Sequence, residues 1–521
     1  MKRLVISISF LLIIVPYANA AKFFNLFGTW VGGSKTLNAT TIALAGDFDI
    51  VVMNDQDYDG YDGGTSSTHY NVNATTFNEI YDENNNIVIL TYFVPLKSNT
   101  THDCADAPDI DSSAYYDTNC NSPYTHSGGV LTSNTGYIMQ DDESAYVLRE
   151  VGSDWLWLDF ADSNAQAWIA EAVDHLILSR DWVADGIFAD TNYCKIDIAN
   201  APDYTGPTHV PSGTFEASYN TEAKWGLAMA DYWSYMQGYF DTNYPGKWYT
   251  SNAGPFIGSD SACIDTYNAA DAVTNPPELL YHEQNIATGS GSGDIYFFTH
   301  AVWKNQIDSL SMDNIRVVLQ TDNNTIGASS DNCATPGSCV DQSSNPVSYG
   351  QILFYQLASF AINKQDNSYF AYSNEWGIGT VDYRTLVWLN AYDEMDPGDN
   401  LHLGNPIGSY QTNTSHGATI YWREYSRGLV VVNSDHTADM TSSWNFDQDP
   451  ALTSKVSRIL DYDGTIDGIA YTTADPFDGI SESNDDDTIQ LDRHHGVFIL
   501  FQDQNVGNVD GAGMSGAGYN F

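Results

Sequence analysis

Basic residues are what this 521-residue sequence lacks most: 19 Lys and Arg stand against 67 Asp and Glu, a formal net charge of −48 at pH 7. A surface of that sign repels phosphate backbones and anionic headgroups, which excludes nucleic acid and acidic membranes as partners. Its plainer account is a salty milieu whose counterions screen self-repulsion; the alternative is the attraction of cations or cationic glycans. After the first twenty residues no segment has the ~18 uninterrupted apolar residues of a membrane-spanning helix. There is no CxxC, and His and Cys do not cluster at zinc-ligand spacing, so no metal site is assigned. No phosphate-cradling glycine loop, Ser/His elbow or dinucleotide fingerprint stands in the right context, and no motif requires a cofactor.

The amino terminus addresses the compartment. Lys2 and Arg3 precede an almost wholly apolar stretch, residues 4–15, and Ala18-Asn19-Ala20 is a small-x-small cleavage site. Residues 1–20 therefore read as a secretory signal peptide, with an uncleaved anchor as the alternative, and the mature chain is expected outside the cell. Six cysteines, an even number, fit disulfides in that compartment. Cys333 and Cys339 bracket a short loop and Cys104 and Cys120 an Asp-rich insertion, which leaves Cys194 with Cys263 after two neighbouring candidate strands, one choice among fifteen.

At 42% hydrophobic and 13% aromatic the chain can bury a large core, and its length suits a barrel of ~250 or more residues plus smaller modules. Short apolar runs bounded by turns read as buried parallel strands at residues 23–31, 48–53, 86–94, 186–189, 247–251, 271–274 (the weakest), 316–319 and 368–372. Helical patterns lie at 164–179, 221–240 and 349–363. Eight such strands interleaved with helices predict a (β/α)8 TIM barrel over residues 21–380, with a doubly wound sheet as the alternative. Beyond residue 380 the texture changes to β-rich runs with Gly and Asn/Asp turns. That predicts a small antiparallel β domain over 381–506, followed by a Gly-rich tail over 507–521.

Barrels place chemistry at the carboxyl ends of their strands. Asp190 follows the run Gly186-Ile187-Phe188-Ala189 and is the first catalytic candidate, against a reading as a strand-end cap. Its partner is sought after the sixth strand, where Glu278 is the first choice and Glu283 the second; each could equally be a helix-start glutamate. Asp322 and Glu375 are reserves. Trp30, Tyr92, Tyr193, Trp248 and Trp376 are candidates for stacking on sugar faces, against ordinary core packing. Asn192 and Asn252 follow the fourth and fifth strands as candidate polar contacts to a substrate. Asp55-Gln56-Asp57-Tyr58-Asp59-Gly60 opens like a calcium loop but has Ser66 where the bidentate Glu belongs, and residues 103–117 are Asp-rich. Calcium is thus a candidate ligand at both, with turn chemistry as the plainer account.

The stretch LWLDFADSNAQAWIAEAVDHLILSRDWVADGIFADTNY, residues 156–193, resembles the hypothetical glycosyl-hydrolase barrels related to α-1,4-polygalactosaminidases. So do HLGNPIG at 402–408 and YWREYSRGLVVVN at 421–433. The resemblance covers most of the chain and implies a TIM barrel with a β appendage and a carboxylate after the fourth strand, matching Asp190. The Pro-Pro pair before Glu278 departs from that family's short strand-then-Glu pattern. Two functions follow: a secreted glycoside hydrolase acting on an extracellular polysaccharide, or a non-catalytic carbohydrate-binding or cell-surface structural protein on the same scaffold. A calcium-dependent adhesin is a third. The separation of the two rim carboxyls discriminates between the first two, and the third requires ordered metal in the Asp-rich loops.

Overall fold

The computed structural model describes residues 26–28, 39–46, 48–53, 74–93, 95–99, 148–149, 155–173, 184–190, 192–194, 203–204, 222–255, 262–283, 285–290, 294–322, 339–347, 349–373, 403–435, 437–445, 456–460 and 488–501. Eight parallel strands form one sheet: β1 (Phe27–Gly28), β2 (Ile50–Met53), β3 (Val88–Phe93), β4 (Gly186–Ala189), β5 (Trp248–Pro255), β6 (Leu279–Glu283), β7 (Arg316–Asp322) and β8 (Ser368–Ser373). Leu26, just before β1, bridges in parallel to Phe370 in β8, so the sheet closes on itself. Between the strands run α1 (Ala39–Gly46), α2 (Ala74–Glu83), α3 (Ser163–Val173), α4 (Glu222–Asn243), α5 (Ala262–Ala272), α6 (His300–Asp308) and α7 (Tyr349–Asn363). This is a (β/α)8 barrel, as the run-and-helix pattern predicts.

The strands are apolar on both faces because both faces are covered. One row of side chains, including Phe27, Ile50, Val52, Leu90, Phe188, Leu279, Tyr281, Val318 and Ala371, fills the barrel interior. The alternate row, including Val51, Ile89, Ile187, Leu280, Val317 and Leu319, packs outward against the helices. The apolar stripe of α4 does what its spacing predicts: Trp225, Met229, Tyr232, Met236 and Phe240 are all buried in that outer shell. Gly186 opens β4 where a Cβ would lie 2.5 Å from the Trp248 carbonyl oxygen, so only glycine lets β3, β4 and β5 pair here.

The sixth strand corrects the sequence reading. It is Leu279–Glu283, whereas Asp271 and Ala272 belong to the last turn of α5 and residues 273–277 are a turn. Pro276-Pro277 ends the helical stretch, and the apolar run begins only after it. Glu278 consequently precedes the strand instead of following it.

The carboxyl-terminal part is an antiparallel sheet of β9 (Gln411–Asn413), β10 (Ile420–Tyr425), β11 (Gly428–Asn433), β12 (Val456–Leu460) and β13 (His495–Phe501), in the order β9-β10-β11-β13-β12. Its two faces have different partners. Tyr421, Tyr425, Val430, Val432 and Phe498 join the outer core of the barrel. Ile420, Trp422, Leu429, Val431, Val497 and Ile499 pack with Met440, Trp444, Ile489 and Leu491 in a second core. The first face rests on α7. Gly496 lies so close to it that a Cβ would meet the Ala358 Cβ at 2.5 Å. Buried Arg423 donates to the carbonyls of Lys364 (2.7 Å) and Gly408 (3.0 Å), tying the sheet to the end of that helix. His300 of α6 adds a polar tie, its ring nitrogens lying 3.0 Å from the Tyr421 hydroxyl and 3.0 Å from Ser434 Oγ.

Gly186→Ala is expected to lower unfolding free energy by about 1–3 kcal/mol, because the added methyl meets backbone that cannot withdraw without breaking strand pairing. Urea unfolding of the two proteins, followed by tryptophan fluorescence, measures it; equal midpoints would show that the strands can separate to admit a methyl.

Candidate active site

In four successive strands, β3 to β6, the interior row ends at its carboxyl end in a polar residue. In β3 the row reads Val88, Leu90, Tyr92. After Gly186 and Phe188 of β4 it reaches Asp190, one residue beyond the strand. In β5 it reaches Asn252, and in β6 it passes Leu279 and Tyr281 to Glu283. Four side chains from four successive strands thus meet at one level.

Their hydrogen bonds form a chain centred on Asn252. Its Nδ2 donates to Asp190 Oδ1 at 2.6 Å and to Glu283 Oε1 at 2.7 Å. Its own Oδ1 accepts from the Gly254 N–H at 3.0 Å, which fixes which way the amide faces. The Tyr92 hydroxyl donates to the other Asp190 oxygen, Oδ2, at 2.6 Å. The two N–H bonds of a carboxamide diverge by about 120°, so the two bridged carboxylate oxygens stand roughly 4.6 Å apart. Glu283 is buried at 8% exposure while Asp190 is more open. Burial first, then the Asp190 and Glu283 carboxylates, hold the Tyr92 phenol far above the ordinary tyrosine range, so it stays a proton donor to Asp190.

The backbone around this group is shaped for it. Ala253 is an extra residue in β5, because the β5–β6 register runs from Asn252↔Tyr281 to Gly254↔His282. The bulge leaves Gly254 at φ +78°, with the Tyr193 ring where a Cβ would lie: Cδ1 would be 2.4 Å away. The segment carrying Tyr193 is pinned in turn. The Tyr193 carbonyl accepts from Trp225 Nε1 at 2.9 Å, the Cys194 N–H donates to the Ala253 carbonyl at 2.8 Å, and the Cys194 carbonyl accepts from Thr266 Oγ1 at 2.8 Å. Cys194 is disulfide-bonded to Cys263 of α5, the pairing that proximity suggested. Cys104, Cys120 and Cys333 lie outside the described residues.

After Glu283 the chain enters a buried, strained turn. Asn285 donates through Nδ2 to the carbonyls of His282 (2.6 Å) and Gln320 (3.2 Å). Ile286 sits at φ 65°, a left-handed conformation costly for a β-branched residue, and its N–H is held by Gln306 Oε1 at 2.8 Å. The neighbouring interactions hold that strain, and they aim Glu283.

The candidates drawn from sequence fall into three groups. Asp190, Glu283, Asn252, Tyr92 and Tyr193 come together at the rim. Glu278 does not: it pairs with Arg316 across the starts of β6 and β7, at the opposite end of the barrel. Trp248 is there too, with the Arg316 guanidinium 4.5 Å from its ring centre, so it plugs the barrel floor. Asn192 is fully buried on the helix side, donating to the Tyr249 hydroxyl at 2.7 Å, and does not reach the rim. Trp30, Trp376, Glu375 and the acidic loops at 55–66 and 103–117 lie outside the described residues, and Asp322 is described only as the last residue of β7. Among the described residues no group of three His, Cys, Asp or Glu forms a metal site. Sequence reasoning missed Asn285, Gln306 and Gln320; the only signal for them was polar residues inside or beside otherwise apolar runs.

No family model matches this chain, and no curated protein matches it. Solved structures with some likeness include a noncanonic maltogenic alpha-amylase, AmyB from Thermotoga neapolitana, at 9% identity and TM-score 0.41, covering 92% of this chain and 97% of that one. The GH36 alpha-galactosidase AgaB from Geobacillus stearothermophilus (10%, TM-score 0.42) aligns with 92% of this chain and 55% of its own. The alpha-galactosidase from Lactobacillus brevis (10%, TM-score 0.41) aligns with 94% and 56%. All three are glycoside hydrolases. The chain spans about half the length of these two galactosidases. Strand order and closure, not these distant likenesses, carry the fold assignment.

His282, beside Glu283, faces outward and is fully buried with its ring 4.4 Å from that of Tyr267; desolvation pushes its pKa down to about 3. It is neutral when folded, while the unfolded chain takes up a proton near pH 6.5. Stability from this group is therefore present above pH 6.5 and is lost as pH falls from there toward 3, by up to ~1.4 kcal/mol per pH unit. His282→Leu should flatten the stability–pH curve between pH 6 and 4 by one proton, read by urea unfolding at each pH; an unchanged slope would mean His282 is already charged in the fold.

Proposed function

We propose that this protein is a retaining glycoside hydrolase with Asp190 as nucleophile and Glu283 as general acid and base. The observation that carries the reading is the Asn252 carboxamide shared between two carboxylates from different strands. Their separation falls near the ~5–5.5 Å of retaining pairs and well short of the ~6.5–9.5 Å that leaves room for a water in inverting ones. Asn252 and Tyr92 each donate to Asp190, one on each oxygen, and so hold its carboxyl group in a fixed orientation toward the sugar site. Glu283 is the more buried acid, as suits a group that must carry a proton at the start of the cycle.

In the first step an Asp190 oxygen attacks the anomeric carbon while Glu283 gives its proton to the departing glycosidic oxygen. In the second, Glu283 takes a proton from water, whose oxygen displaces Asp190 and regenerates both groups. The half-buried Tyr193 ring, held over Gly254, is placed to line the sugar site.

An extracellular polysaccharide is the substrate class this reading takes. The signal-like leader and the Cys194–Cys263 bridge both fit an oxidising exterior. Kinship with the polygalactosaminidase-related barrels is part of the proposal, resting on the Leu156–Tyr193 stretch. The acidic chain would draw cationic glycans toward the barrel.

Asp190→Asn and Glu283→Gln should each lower reducing-end release by about a thousandfold or more from a polysaccharide panel that includes galactosamine-containing and acidic polymers, with melting temperature little changed. Glu278→Gln should retain release. Proton NMR of the first-formed product should show the substrate's anomeric configuration. Full activity in Glu283→Gln, or an inverted product, would sink the assignment. Glycan binding without release by the wild type would favour a carbohydrate-binding protein on the same scaffold.

A further inference from the structure

We propose that Gln320 is a substrate-contacting residue that recognises an uncharged hydroxyl of the sugar held between Asp190 and Glu283. The inference rests on that carboxylate pair being a sugar site, and it adds what the site selects.

The placement follows from register. β6 and β7 pair in parallel as Leu279↔Arg316, Leu280↔Val317, Tyr281↔Val318 and His282↔Leu319, so one step further sets Gln320 beside Glu283. Val318 belongs to the barrel interior, whereas Val317 and Leu319 face the helices. The period of two therefore turns Gln320 inward, in the same layer as Glu283, Asn252 and Tyr92. Across its other edge it pairs with Ala371 of β8, whose small interior side chain leaves room beside the carboxamide.

Gln320 is 5% exposed, and among the described residues nothing hydrogen-bonds to its side-chain amide, although its backbone carbonyl is held twice by Asn285. The other amides nearby are engaged: Asn252 with the two acids, Asn285 and Gln306 with the turn after Glu283. A carboxamide at the rim with no protein partner does little for the fold, so an apolar residue here would cost the barrel little stability. A group that both donates and accepts, set beside the reacting carboxylates, matches a sugar hydroxyl, which also does both.

The same layer argues against an anionic sugar. Its described members, Tyr92, Asp190, Asn252, Glu283 and Gln320, comprise one phenol, two acids and two amides, with no cation; Arg316 lies at the far end of β7, paired with Glu278. A uronate carboxylate at this position would face two carboxylates across a short, poorly hydrated gap.

The test is equilibrium binding of D-galactose, D-glucose, D-mannose and D-xylose, with D-galacturonate and D-glucuronate as anionic counterparts. Titration calorimetry would compare wild type, Gln320→Leu and Gln320→Met, with melting temperatures recorded in parallel. Wild type should bind at least one neutral sugar, and its uronate counterpart at least tenfold more weakly. Both variants should bind that neutral sugar about tenfold or more weakly while melting at about the same temperature. The proposal is overturned if the variants bind as wild type does, if a uronate binds equally well, or if wild type binds no neutral sugar. Loss of binding in a protein that hydrolyses no glycan would keep Gln320 and discard the hydrolase; hydrolysis indifferent to Gln320 would do the reverse.

Discussion

Closure of the sheet is the constraint from which the rest follows. The Leu26–Phe370 bridge joins the last strand to the first, and an eight-stranded barrel has an interior only wide enough for its own side chains. Every strand must then present apolar groups to both faces along most of its length. Polar side chains fit the interior at the ends, where water or a ligand reaches them, or where they bond to backbone as Thr250 does to the Ile187 carbonyl. Arg316, Glu278 and Trp248 close one end with an ion pair and a stacked ring. Tyr92, Asp190, Asn252 and Glu283 occupy the other. The two ends differ chemically: a balanced charge pair on the floor, two acids and no opposite charge within the described rim layer.

That rim would be unfavourable without its donors. Two carboxylates a few ångströms apart repel, and repulsion grows as water is excluded. Asn252 offsets it by giving one hydrogen to each acid, and Tyr92 supplies another to Asp190. The geometry of the pair thus depends on an amide held by a backbone N–H two residues away, within a bulge that only a glycine at position 254 allows. The disulfide to α5 and the Trp225 and Thr266 hydrogen bonds hold the segment after Asp190 against that bulge. Site and scaffold are continuous here. The outer layer around α4 and α5 therefore helps to set the position of the two rim acids.

The carboxyl-terminal sheet contributes through α7. Its inner face extends the barrel's outer shell, so α7 is buried between two layers, and Arg423 satisfies the Lys364 carbonyl at the helix end. Some of this was legible in the sequence. The periodicity of α4 and α7, the apolar runs of β2, β3, β4, β7 and β8, and the change of texture beyond residue 380 all have direct counterparts. The sixth strand was misplaced because LLYHE ends in His and Glu, residues that suit a helix start as well as a strand end. His282 is buried behind the sheet and Glu283 before it, and no local pattern announces either.

By itself, then, the sequence determined the barrel class and the acid after the fourth strand. Both rest on local patterns: apolar runs of strand length, helical spacing between them, and a polar residue closing a run. Only the tertiary structure decided which glutamate stands opposite Asp190, that Asn252 joins the two, and that Trp248 and Asn192 serve the scaffold. Those choices depend on register and on the face each side chain takes around a closed sheet. A shift of one strand by a few residues exchanges rim for floor, and composition is indifferent to that shift.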